Sequence, residues 1–95
     1  LMDRSNQPSR ADSAIEYPTR FPIKVLGAQA EGFAQAMAEI ACVYDPHFDA
    51  STIEQRQSSG GKYLGLTLSI WATSRAQLDA LYHALSAHPM VKVVL

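Results

Sequence analysis

From Phe21 to Leu26 the chain alternates, with Phe21, Ile23 and Val25 set against Pro22, Lys24 and Leu26. This is the period-two pattern of a half-buried strand, and Gly27 ends it. From Ala30 onward Phe33, Met37, Ile40 and Tyr44 recur at steps of three or four, with Ala36 and Val43 widening the stripe, which predicts an amphipathic helix closed by Pro46. Ser51 to Ser58 holds one aliphatic residue, Ile53, among polar neighbours and reads as an edge strand with little to bury. Ser58-Ser59-Gly60-Gly61 tolerates the positive φ of a hairpin connection. The next strand is the most regular of all, with Leu64, Leu66, Leu68 and Ile70 on one side and Tyr63, Gly65, Thr67, Ser69 and Trp71 on the other. Ser74, with Gln77 three residues later, forms a capping box for a second helix whose Leu78, Leu81, Tyr82 and Leu85 share a face. His88-Pro89 stops that helix. A last strand follows, Met90 to Leu95, in which Val91, Val93 and Leu95 are expected to face the core and Met90, Lys92 and Val94 the open side.

The order strand, helix, strand, strand, helix, strand defines an α+β class protein, a ferredoxin-like βαββαβ sandwich. Right-handed crossovers give an antiparallel sheet of order 4-1-3-2 with both helices on one face and the other face open. Residues 1–16 are polar and aperiodic, so they read as a flexible N-terminal tail ahead of a single domain at 17–95, with Tyr17 anchoring the approach. Leu1 and Met2 carry no functional expectation.

Composition narrows the function classes. At 95 residues the chain is one domain with a small core. A formal net charge of -1 argues against a general DNA binder, which needs excess Lys and Arg to displace counterions. No apolar run is long enough to span a membrane. The single cysteine, Cys42, cannot close an internal disulfide, and a reducing cytoplasmic setting is the expectation.

Three stretches carry a resemblance: Tyr17-Pro18-Thr19-Arg20-Phe21-Pro22-Ile23-Lys24-Val25-Leu26-Gly27, the hairpin Ser59-Gly60-Gly61-Lys62-Tyr63, and Gln77-Leu78-Asp79-Ala80-Leu81-Tyr82 through Val91-Lys92-Val93-Val94-Leu95. In that order they resemble the YbeD-like family of small bacterial proteins. The resemblance implies a ferredoxin-like fold close to the ACT regulatory domains and brings no catalytic residue. A link to lipoate metabolism comes by family association alone. ACT domains place small ligands where the first strand turns into the first helix, the position of Gly27. Here Ala28-Gln29-Ala30-Glu31-Gly32 replaces the usual Pro-Gly opening of that helix.

The chemistry-bearing residues converge on no activity. His47, His83, His88 and Cys42 match no zinc spacing, so surface or capping histidines and an apolar filler cysteine are expected, with no metal and no cofactor. Nor do they supply a nucleophile with its base, so no catalytic residue is assigned and the chain reads as a non-enzyme. An RNA-recognition motif needs aromatics at the centre of the open face, where this chain has Gly65, Thr67 and Ser69, so RNA binding ranks third. The leading expectation is an ACT-like regulatory or protein-interaction module acting through its sheet, as a homodimer or with another protein. Its interface is placed at Met90, Val94 and Trp71. Lys24 and Lys92 should lie side by side as a ligand patch framed by Tyr63 and Trp71. The alternative is a small-molecule sensor with a pocket near Gly27.

Overall fold

The computed structural model describes residues 15–95, so the tail expected at 1–16 falls almost wholly outside the described residues. Ile15, at its inner end, packs against the core together with Tyr17. The elements are β1 (Thr19–Ala28), α1 (Phe33–Tyr44), β2 (Glu54–Gln57), β3 (Tyr63–Ala72), α2 (Arg75–Ala87) and β4 (Val91–Val94), with short 3-10 turns before and after β2. The four strands form one antiparallel sheet in the order β2-β3-β1-β4. This is the expected order.

Periodicity explains the core. Ile23 and Val25 of β1 and Leu64, Leu66, Leu68 and Ile70 of β3 present one wall, against which Phe33, Met37 and Ala41 of α1 and Leu78, Leu81 and Leu85 of α2 close. Both helices therefore cover the same face. Burying a side chain of this size stabilises the fold by about 1.5–3 kcal/mol. Phe48, in the loop after α1, is buried as well. Val43, expected to widen the stripe of α1, is 72% exposed, because the helix turns it past the seam on which Ala41 sits. Cys42 is exposed for the same reason and is not the filler its helical position implied.

The polar segment before β3 starts later than expected. Asp49 accepts from the Ser51 backbone N–H and hydroxyl, which winds Ala50–Thr52 into a 3-10 turn and leaves only Glu54–Gln57 to pair. All four residues of β2 are exposed. Gly60 and Gly61 take φ of 87 and 69 in the connection to β3, a conformation that side-chain-bearing residues resist.

The largest departure is in β4. Pairing runs Gly27 with Val91, then shifts, so that Leu26 meets Val93 and Val25 meets Val94. Lys92 is the extra residue of this bulge, and one extra residue reverses the facing of everything after it. Val94 and Met90 pack against the core, whereas Val93 is 40% exposed on the open side. The expected facings of Met90, Val93, Val94 and Leu95 are thereby corrected. Gly27 makes the close approach feasible. It is buried inside β1, not at a turn, and a Cβ there would collide with the Met90 carbonyl oxygen and the Phe33 ring.

Candidate functional site

The open face of the sheet is uncovered by any described residue, and of the four exposed large hydrophobics among the described residues three belong to it: Trp71, Val93 and Leu95. Its centre is concave. Gly65 contributes no side chain to the middle of β3, so the sheet dips into a trough of about 500 Å³ between Leu26 and Leu95 on one side and Glu54 and Arg56 on the other. Lys24 and Thr67 close one end. Cross-strand register places these residues together: Arg56 opposite Gly65, Gly65 opposite Leu26, Glu54 opposite Thr67, and Thr67 opposite Lys24. Leu95 completes the row, since Lys24 and Leu95 exchange backbone hydrogen bonds of 3.2 and 2.7 Å. Among the described residues, the side chains of Lys24, Arg56 and Glu54 make no ion pair and no hydrogen bond.

Aromatic residues stand at either end of β3, each under a cation. The Arg20 guanidinium lies 5.1 Å from the centre of the Trp71 ring, and the Lys92 ammonium 5.5 Å from that of Tyr63. The expected frame of Tyr63 and Trp71 is thus present. The expected pairing of Lys24 with Lys92 is not, because the register sets Lys24 opposite Leu95 and leaves Lys92 beside Gly27, towards the far end of the β1–β4 ladder. Nor does Gly27 line the trough: the space above it is filled by Phe33. Of the interface residues, Trp71 is on the open face, while Met90 and Val94 are turned toward the core.

The groups that sequence periodicity missed sit where elements end. Asp45, just past α1, is 2% exposed, and its carboxylate accepts from the Trp71 backbone N–H at 3.0 Å and from that of His47 at 3.1 Å. Gln77 departs from the usual capping box. Ser74 accepts from the Gln77 N–H as expected, but the Gln77 side chain accepts from Thr73 and donates to the carbonyls of Tyr44 and Trp71. His88 caps the turn into β4 by accepting from the Met90 N–H. Tyr82, partly desolvated beside the last strand, has its phenol held above the usual tyrosine range by that burial. Among the described residues no group of three or more His, Cys, Asp or Glu is placed to hold a metal ion. No helix among them is long and apolar enough to cross a membrane.

A four-stranded antiparallel sheet of this order, with two helices on one face and a dished open face, defines the class as a ferredoxin-like α+β sandwich. The solution structure of protein HP0495 from H. pylori superposes with a TM-score of 0.72 over 96% of this chain and 97% of that one, at 17% identity, a likeness of fold. The chain belongs to the family described as "Protein of unknown function (DUF493)", which matches residues 12–95. It is 59% identical to the UPF0250 protein of Leptothrix cholodnii over 90% of this chain and 94% of the relative. It is 57% identical to the UPF0250 protein of Ralstonia nicotianae over the full length of both. The YbeD-like resemblance read from the three sequence stretches agrees with these relatives.

Proposed function

We propose that the chain is a non-catalytic interaction module that regulates a protein partner by docking it on the open face of the sheet. The observation that carries this reading is the dished face that no described residue covers, where Leu26 and Leu95 line a trough floored by Gly65 and the exposed Trp71 and Val93 stand on the same face outside it. Exposed apolar side chains on a face that also holds a concavity favour contact over solvation. A binding role rather than catalysis is supported by placement: Cys42 and His83 lie on α1 and α2, on the other side of the sheet from the trough.

The test fills the trough without disturbing the fold. A Cβ at Gly65 meets nothing closer than the Arg56 carbonyl at 3.6 Å, an ordinary contact, so Gly65→Leu should fold and project its side chain into the concavity. Affinity capture from the native cell extract should retain a protein with the wild-type chain and with the helix-face control Val43→Glu, and lose it with Gly65→Leu. Equal retention by all three would remove the sheet face as the docking surface.

A further inference from the structure

Charge is unevenly distributed between the two faces of this nearly neutral protein. The structure describes six basic residues, and four of them, Arg20, Lys24, Arg56 and Lys92, stand on the open face, leaving Lys62 and Arg75 elsewhere. Glu54 is the one acid whose strand position puts it on that face. Such an excess survives on an uncovered surface at a cost in self-repulsion, which an oppositely charged partner removes. Arg20 and Lys92 are engaged with aromatic rings at the two ends. The side chains of Lys24 and Arg56, flanking the trough, make no ion pair, hydrogen bond or ring contact among the described residues.

Resting on the docking reading above, we infer that the partner presents an acidic segment with an aliphatic anchor, its carboxylates meeting Lys24 and Arg56 and its apolar side chain seated over Gly65 between Leu26 and Leu95. A nucleic acid fits less well. Its bases need free aromatic faces, yet the Trp71 and Tyr63 rings are already faced by Arg20 and Lys92 and stand at the ends of β3 instead of over the trough. Its phosphates would also meet Glu54 and a leucine-lined floor. An acidic, aliphatic peptide complements both the cations and the floor.

A synthetic heptapeptide alternating Glu and Leu is the probe, titrated into the full ¹⁵N-labelled chain and followed by amide chemical shifts. Saturable shifts are expected at Lys24, Gly65, Thr67 and Leu95. Binding should weaken at least tenfold in the double variant Lys24→Glu/Arg56→Glu, and likewise when Gln replaces Glu in the peptide. Raising the salt from 50 to 500 mM should weaken it further, as for any contact that depends on exposed charge. Shifts confined to the helices, or equal binding of the Gln peptide, would overturn the inference. So would tighter saturation by polyuridine, which would assign the face to nucleic acid, or a dimer of the chain alone that dissociates on the same two reversals, which would assign it to a second copy. The capture experiment reads separately. A protein lost with Gly65→Leu but kept by Lys24→Glu/Arg56→Glu leaves the docking face standing and removes its preference for acids.

Discussion

Asp45 joins two segments that lie 26 positions apart in the chain, holding the Trp71 amide of β3 to the end of α1. A buried carboxylate that accepts two backbone N–H groups leaves both unpaired when it is removed, and such bonds contribute about 1.5–3 kcal/mol each. Asp45→Ala is therefore expected to lower unfolding stability by about 2–4 kcal/mol, read from urea denaturation. Asp45→Asn should also destabilise, since its amide sets an N–H donor against one of the two backbone donors. A loss under about 1 kcal/mol for Asp45→Ala would mean that these bonds contribute little. Nothing in the periodicity of the sequence marked this residue: an Asp before Pro46 reads as a helix stop, and its distant partner emerges only when α1 and β3 are packed. Gly65 was hidden differently. It stands in the alternation of β3 as an ordinary outward position, and its meaning as the floor of a trough depends on Leu26 and Arg56 lying on either side of it.

At the scale of elements, the bulge at Lys92 makes the sharpest claim. Val94 faces Val25 in the core and Val93 faces outward beside Leu26, so the same substitution at neighbouring positions should have unlike effects. Val94→Lys, forced to bury an ammonium or displace β4, is expected to cost about 1–3 kcal/mol, and Val93→Lys less than about 0.5 kcal/mol, by thermal or urea unfolding. The reverse ranking would restore the unbulged register. Elements with many repeats of their period were legible: β3, with four successive inward aliphatics, and α2, with Leu78, Leu81 and Leu85, stand where the pattern put them. β4 was legible as a strand but not in its facing. A run of Val on both faces looks the same in either parity, and what selects one is the close approach of Met90 to Gly27, a tertiary contact. β2 shortened because Asp49 bonds to Ser51, a local alternative to strand that composition alone does not rank.

For the whole molecule, the order of elements was enough to give the sheet order, because crossover handedness leaves few arrangements of two βαβ halves. The candidate site was legible only as a face. Lys24, Thr67, Tyr63 and Trp71 were placed on it correctly, but their grouping depends on register across four strands, which moved Lys92 to one end and brought Leu95, Glu54 and Arg56 to the centre. The Gln77 side chain has a different reach. It touches the last carbonyl of α1, the carbonyl of Trp71 and the amide of Thr73, so it is a clasp at the point where three elements meet. Opening α2 at its start removes a partner from α1 and from β3 at once. The amides of Trp71, Thr73 and Gln77, each bonded to a side chain, are therefore expected to exchange with deuterium at one shared rate in native conditions. In Gln77→Ala the Thr73 amide should exchange fastest and the Trp71 amide, still held by Asp45, should lag behind it; equal rates for Thr73 before and after the change would show that the clasp is not closed in solution. With the clasp closed, its bonds to α1, to β3 and to the Thr73 amide are expected to open together, so this end of the molecule should yield as a unit.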